Sequence, residues 1–148
     1  MTDDSPKAVV LRAINLFDGT MAGTDRYLEM FADSAVWEFA PTAESPRWSR
    51  VEGKEAARAL YQRVYDQRSD VRSTIHQVVA EGDTVVVAYT YSGTVSADVL
   101  GFPAGSGRHF ECVNLYTVSD GLIVRYVQYA GPALLEETER RTNHGTDD

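Results

Sequence analysis

The chain has 148 residues, a length typical of one domain that buries roughly two thirds of the surface of its unfolded chain. Its formal charge of −8, from 14 basic and 22 acidic residues without a Lys/Arg cluster, argues against a nucleic-acid or anionic-membrane partner and favours a small neutral or apolar ligand. An acidic N-terminus, no apolar run near the ~20 residues of a membrane span and a single cysteine predict a cytoplasmic protein.

Two helices are predicted in the first part of the chain. Ser5 and Pro6 suit a helix start, because a hydroxyl caps the first turn and proline has no N–H to leave unpaired there. Apolar residues then recur at helical spacing, so we expect this helix to end near residues 19–23. A short second helix is expected over about residues 25–32.

A first strand is predicted over residues 35–39, where apolar and other side chains alternate. The alternation places Trp37 and Phe39 on one face and Glu38 on the other. Pro41 ends the strand. Glu38 would therefore face a pocket beside Phe39 only if a β-bulge turned it inward.

The next part of the chain combines a polar loop with a helix. In the loop, residues 42–52, Trp48 is interpreted either as a structural plug or as a lid. The helix, residues 53–68, carries Tyr61 and Tyr65 on its apolar side. Buried tyrosines usually find a partner for their hydroxyl, so these two belong either to the core or to a pocket wall.

Strands are predicted from residue 71 onward, first over 71–80 and then over 84–95. On the second of these strands we expect Thr90 and Ser92 to face the pocket. The glycine-rich connection at residues 97–107 joins two strands and carries no Lys-Ser/Thr pair. These features argue against a phosphate-binding loop.

The most informative stretch is a predicted hairpin over residues 109–131, with a Ser-Asp-Gly turn. Both rows of side chains on each strand include apolar residues, so we expect the hairpin to be covered on both sides. Asn114 and Gln128 would then lie in a largely dry pocket. The row of Asn114 also holds Phe110, Cys112, Tyr116 and Val118, and the row of Gln128 holds Val124, Tyr126 and Ala130.

The order of elements predicts one α+β domain over residues 1–148, frayed at about 1–5 and 142–148. Three helical segments and a strand precede four consecutive antiparallel strands, and a short helix is expected over 132–141. In such a domain a curved antiparallel sheet wraps around helices to form a cone, whose mouth is a usual place for a small-molecule site.

Five segments together resemble known proteins, namely residues 31–41, 51–60, 78–94, 101–111 and 114–129. They resemble the nuclear-transport-factor-2-like superfamily and, within it, the group of SnoaL-like polyketide cyclases, limonene-epoxide hydrolases and ketosteroid isomerases. The resemblance implies the cone-shaped fold, a cofactor-independent isomerase or cyclase of polyketide and antibiotic biosynthesis, and a homodimer. Since this scaffold also hosts hydrolases and binding modules, the fold alone does not fix the function.

The catalytic acids of these relatives are replaced at the matching positions. Phe39 falls where the isomerase has its Asp base, and Asn114 falls where that enzyme has a protonated Asp. Gln128 falls where SnoaL-like cyclases often have an acidic residue. The positions of the epoxide-hydrolase set match Trp37, Phe39, Gln128, Ser92 and Thr94.

These replacements argue against ordinary acid–base chemistry, because general-base catalysis needs a titratable group and amides cannot accept the proton. We expect a cyclase or isomerase that folds a polyketide-like substrate and holds its carbonyl with Asn114 and Gln128, including by a pericyclic route. The expected substrate-binding residues are Trp37, Phe39, Trp48, Tyr61, Tyr65, Thr90, Ser92, Phe102, Phe110, Cys112, Tyr116 and Tyr126.

Two alternatives stay open from the sequence. One is an epoxide hydrolase or proton-transfer isomerase that uses Glu38 or Asp98, and the other is a non-catalytic small-molecule binding protein. No His/Asp/Glu set has metal-ligand spacing, so no metal is expected, and Cys112 has no evident base to activate it. A homodimer is expected through an apolar row of the hairpin that consists of Val113, Leu115, Val127 and Tyr129.

Overall fold

The computed structural model describes residues 3–43, 45–96 and 103–135, which contain three helices. They are α1 (Pro6–Leu16), α2 (Met21–Leu28) and α3 (Lys54–Gln67). Ser5 Oγ caps α1 by accepting from the Ala8 N–H, and Thr20 Oγ1 caps α2 by accepting from the Gly23 N–H. The first helix is shorter than predicted, and the second helix begins earlier than predicted. Gly19 lies between them with a φ of 82°, a left-handed conformation in which the chain turns and neither helix can continue.

Seven strands form one sheet in the described part of the chain. Their order is β2-β1-β6-β5-β4-β3, with β7 paired to β5. All pairs are antiparallel except β1 with β6, which is parallel. The strands are β1 (Phe31–Phe39), β2 (Ser49–Glu52), β3 (Arg68–Glu81), β4 (Thr84–Val95), β5 (Gly107–Ser119), β6 (Leu122–Ala130) and β7 (Leu134–Leu135).

The predicted α+β fold, a curved sheet around helices, is confirmed, with corrections in three places. The sheet is mixed rather than purely antiparallel, since β1 runs parallel to β6. The predicted loop at 42–52 ends in the edge strand β2. The short helix expected over 132–141 is wrong where the structure describes it, because Leu134 and Leu135 pair with β5; the rest of that segment lies outside the described residues.

The hairpin of β5 and β6 turns at Asp120 and Gly121, whose φ values are 52° and 77°. Two consecutive positive φ values are those of a type I′ turn, which matches the twist of antiparallel strands. The register shifts between Thr117 and Val118, and the extra residue on β6 is Val124. Val124 therefore does not share the face of Tyr126 as predicted.

The helices cover one face of the sheet and bury the core between them. The buried cluster combines α1 and α2 residues with the inward rows of β1, β4, β5 and β6, and it includes Val9, Phe31, Trp37, Val85 and Ile123. None of the helices in the described residues is long and apolar enough to cross a membrane. Burial of this apolar surface is the main stabilising contribution to the fold.

Candidate functional site

A cavity of about 350 Å³ lies between α1, α3 and the inward face of the sheet. Its walls are mostly apolar and aromatic, with a few polar groups, which is the usual make-up of a small-molecule site. The sheet contributes the inward rows of β4, β5 and β6, since alternate side chains of a strand share a face. The sheet side is lined by Phe39, Val87, Tyr89, Tyr91, Phe110, Cys112, Asn114, Tyr116, Tyr126, Gln128 and Ala130.

Two amide side chains, Asn114 and Gln128, meet at the hydroxyl of Tyr89 inside this cavity. Strand register brings them together, because Asn114 on β5 lies opposite Gln128 on β6 and Val87 on β4. Gln128 Nε2 donates to Tyr89 Oη at 2.9 Å, and Tyr89 Oη donates to Asn114 Oδ1 at 3.0 Å. The phenol thus fixes the orientation of both amides.

The network continues into neighbouring tyrosines. Gln128 Nε2 also donates to Tyr126 Oη at 3.0 Å, and Asn114 Nδ2 donates to Tyr116 Oη at 3.2 Å. Tyr116 Oη lies 3.4 Å from Tyr27 Oη. Both N–H groups of Gln128 and one of the two N–H groups of Asn114 therefore already donate to tyrosine oxygens. A ligand carbonyl beside Gln128 would accept a hydrogen bond from a tyrosine hydroxyl instead of from that amide.

Burial keeps the phenols and the thiol of the cavity neutral. Desolvation raises the pKa of Tyr89 and Tyr126 well above the usual value for a phenol, and it raises the pKa of Tyr116 as well. The pKa of the Cys112 thiol is raised to about 11, chiefly by burial. These groups are hydrogen-bond donors near neutral pH and do not act as bases. Among the described residues, no three His, Cys, Asp or Glu side chains are arranged to hold a metal ion.

The model of the SnoaL-like domain family matches residues 11–126, which is most of the chain. The chain belongs to this family. Curated protein sequences give no match.

Solved structures show the same fold at low sequence identity. A protein from Jannaschia sp. CCS1 assigned as a SnoaL-like polyketide cyclase has 22% identity and a TM-score of 0.71 over 87% of each chain. IdmH of Streptomyces antibioticus, assigned as a polyketide cyclase, has 24% identity and a TM-score of 0.67 over 84% of this chain and 91% of that chain. A Catenulispora acidiphila protein with a ketosteroid isomerase-like fold has 18% identity and a TM-score of 0.63 over 84% and 85% of the two chains.

Eight of the side chains proposed from the sequence line the cavity of this SnoaL-like chain. They come from β1, α3, β5 and β6, whose inward faces the alternation predicted correctly. They are Phe39, Tyr61, Phe110, Cys112, Asn114, Tyr116, Tyr126 and Gln128.

Three proposed side chains lie on the opposite face of the sheet: the expected placement of Thr90 and Ser92 is wrong, whereas Glu38 lies on the face where strand alternation placed it. Glu38 forms an ion pair with Arg125 at 2.9 Å. Thr90 Oγ1 donates to Glu111 Oε2 at 2.9 Å, and Ser92 lies opposite His109 in the β4–β5 register. The assignment of Thr90 and Ser92 is wrong because the register with β5 places the alternate row of β4, which holds Tyr89, on the inward face.

Trp37, Trp48 and Tyr65 also lie outside the cavity lining. Trp37 is completely buried and stacks on Phe31, with ring centroids 4.7 Å apart. Its buried indole nitrogen has no hydrogen-bond partner among the described residues.

Trp48 and Tyr65 make other contacts. The Trp48 ring packs edge-on against Tyr129, and the Tyr65 hydroxyl lies 2.8 Å from Thr24 Oγ1. Phe102 and Asp98 lie outside the described residues.

The residues that sequence reasoning missed are the inward row of β4 and one cation. Tyr89 and Tyr91 line the cavity, and Tyr89 is the centre of the hydrogen-bond network. The signal was present, because the row with Val85, Val87 and these two tyrosines is the bulkier one. Arg68 also lines the cavity. Its position between a helix and a strand gave no indication of a face.

Proposed function

We propose that this protein is a cofactor-independent cyclase or isomerase that folds a polyketide-like substrate and polarises one of its carbonyl groups. The observation that carries the proposal is the chain of hydrogen bonds from Gln128 to Tyr89 and Tyr126 at the cavity wall. Rotation of the Tyr126 hydroxyl directs its proton towards a bound carbonyl oxygen while Gln128 still donates to the Tyr126 oxygen. Such linked hydrogen bonds strengthen one another in a low-dielectric site.

Tyr126 is the catalytic donor in this proposal, and Gln128 and Asn114 are positioning residues. The donor develops no charge of its own, because burial raises the pKa of Tyr126 well above its usual range. A preorganised neutral donor stabilises negative charge that develops on an enolate or alkoxide oxygen. The aromatic walls, including Phe39 and Phe110, hold the chain of the substrate in a reactive conformation.

The test is turnover of linear poly-β-ketone N-acetylcysteamine thioesters, followed by liquid chromatography and mass spectrometry. Tyr126→Phe should lower kcat by about 10²-fold, the usual effect of removing one such donor. Gln128→Leu should lower kcat less, by about 10-fold, with KM largely kept. Glu38→Gln is the matched control on the opposite face and should leave kcat unchanged.

The rate should be nearly flat between about pH 5 and 9, because the phenols and the thiol of the cavity stay protonated there. A bell-shaped profile that Glu38→Gln abolishes would contradict the proposal. Asp98, outside the described residues, remains the other candidate base for a hydrolase or proton-transfer isomerase.

A non-catalytic binding protein is the second candidate function. It is supported by the same network, in which both N–H groups of Gln128 and one N–H group of Asn114 donate to tyrosine oxygens of the protein. Calorimetric binding of the thioesters without any product after long incubation would favour this candidate.

We place either function in the cytoplasm and in antibiotic-type natural-product biosynthesis, and polyketide synthase genes beside this gene would support that assignment.

We further propose a homodimer through the outer face of the sheet. Val113 and Tyr129 are 37% and 45% exposed there, and Trp48 covers part of Tyr129. Val127, which the sequence also placed in this surface, is only 3% exposed within one chain and contributes little to it. Light scattering after gel filtration should give twice the chain mass, and Val113→Lys with Tyr129→Lys should give a monomer. A monomeric wild-type protein would contradict the dimer.

A further inference from the structure

Arg68 places a cation in the wall of an otherwise neutral cavity. The residue lies at the junction where α3 ends and β3 begins, and its half-buried side chain lines the cavity. Several arginines at the surface are paired, as Arg58 is with Asp25. Within residues 3–43, 45–96 and 103–135, no carboxylate lies within ion-pair distance of Arg68, and its buried Nε has no hydrogen-bond partner.

The surroundings of Arg68 give this end of the cavity a positive potential. Arg68 and Tyr91 both line the cavity, and the positive charge of Arg68 lowers the pKa of that phenol, against the larger effect of burial. Arg108, completely buried over the Phe110 ring at 5.3 Å, acts on Tyr91 with the same sign. A partly desolvated cation without a counter-ion is costly, and a bound anion would remove that cost.

The positive end lies at a distance from the amide network. Tyr91 lies opposite Phe110, and Val87, four residues back along β4, lies opposite Asn114. Four residues of an extended strand span about 13 Å. The Tyr126 hydroxyl shares Gln128 Nε2 with the Tyr89 hydroxyl, and Tyr89 is two residues, or about 7 Å, from Tyr91 along β4. A ligand that reaches from the Tyr126 hydroxyl to Arg68 is therefore an extended organic molecule.

We propose that the cavity selects organic carboxylates, with the carboxylate of the ligand paired to Arg68 and a carbonyl group at the other end of the ligand beside Tyr126. This inference deepens the proposed function by naming its substrate class, and it rests on that function for the role of the carbonyl. A carboxylate fits better than a phosphate, because the planar guanidinium of Arg68 matches its two oxygens, and Arg68 is the one arginine that lines the cavity in the described part of the chain.

The experiment compares 6-acetyl-2-naphthoate with 6-acetyl-2-naphthamide by titration calorimetry at low salt. The two probes share their shape and ketone and differ in charge. Wild-type protein should bind the acid at least about 10-fold more tightly than the amide, since a hydrogen bond to a charged group contributes that much. Arg68→Gln should reduce the preference below about 2-fold without weakening the amide, and Arg68→Lys should keep part of it.

Arg63→Gln is the matched control, because it removes the same charge from the exposed side of α3 and should keep the full preference. Arg68→Met keeps the apolar stem and serves if Arg68→Gln does not fold. Equal affinities in the wild-type protein, a preference that survives Arg68→Gln, or no binding of either probe at millimolar concentration would overturn the inference.

The two proposals fail separately. Acid preference without turnover of any thioester would remove the proposed catalysis and leave the carboxylate site. Turnover that depends on Tyr126, without acid preference, would do the reverse.

Discussion

The hydroxyl of Tyr89 links the two amide side chains of the cavity through hydrogen bonds. It is an acceptor for Gln128 and a donor to Asn114, so both hydrogen-bonding directions of one phenol are used. Asn114 is only 4% exposed, which makes its carbonyl oxygen costly to leave unpaired. The orientation of the site therefore depends on a residue that makes no direct contact with the proposed carbonyl.

We expect Tyr89→Phe to lower the free energy of unfolding by about 1–3 kcal/mol, because it leaves the Asn114 oxygen without a donor. The adjoining cavity admits water to that oxygen, which favours the lower end of this range. Urea unfolding measures the change. Tyr129→Phe, at an exposed site, should change the free energy by less than about 0.5 kcal/mol, and an equal loss in both variants would contradict the argument.

For individual residues, the sequence predicted that the amides and their aromatic neighbours face the cavity, because the alternation of side chains along a strand depends only on the sequence of that strand. It did not predict Tyr89 or exclude Thr90, because the inward row of β4 depends on pairing across the connection to β5. Residues whose numbers sum to 201 pair there, as Tyr89 and Cys112 do. A shift by one residue would have reversed both assignments.

The elements themselves followed the local sequence closely where apolar runs are long. The strand predicted over 84–95 is β4 as observed, and α3 differs by one residue at each end from the predicted 53–68. The short edge strand β2 was not predicted, because four residues carry too little alternation to distinguish a strand from a loop. Several helices and strands end beside a glycine with positive φ, where the chain turns.

Two of these glycines should respond differently to the same substitution. Both have positive φ, so an alanine at either costs about 1 kcal/mol in backbone strain. A Cβ added at Gly121 would lie 3.9 Å from Asp4 Cγ, an ordinary contact, whereas a Cβ added at Gly19 would lie 2.1 Å from the Val71 carbonyl oxygen. Urea unfolding should show a clearly larger loss for Gly19→Ala than for Gly121→Ala; equal losses would contradict the clash.

The whole molecule should lose stability in mildly alkaline solution, because burial raises the pKa of several tyrosine hydroxyls and of the cysteine thiol. Burial raises the pKa of Tyr65 to about 12 and that of Cys112 from 9.0 to about 11, and it raises the pKa of the cavity phenols in the same direction. In the unfolded chain these groups ionise at lower pH, so above pH 9 unfolding releases protons. The contribution of these groups to the free energy of unfolding is fully present below about pH 8.5 and is lost as the pH rises through 9 to 12.

Urea unfolding at pH 7, 8.5 and 10 should therefore show a plateau between the first two values and a loss at the third. Cys112→Ala should reduce the part of this loss that occurs near pH 9 to 10, because the thiol ionises first in the unfolded chain. A free energy of unfolding that stays constant to pH 10 would show that these groups ionise alike in both states.

The position of β6 between β1 and β5 has a consequence for how the protein is made. Among the strands of the described residues, β6 is the last long one to leave the ribosome, yet it lies in the middle of the sheet. Until it is synthesised, β1 with β2 and β5 with β4 and β3 are separate ribbons, each with an unpaired edge. Insertion of β6 joins distant parts of the chain, a slow type of step. Gln128 and Tyr126 arrive with it, so the binding cavity is completed at the end of folding, and the nascent chain is most prone to aggregation just before.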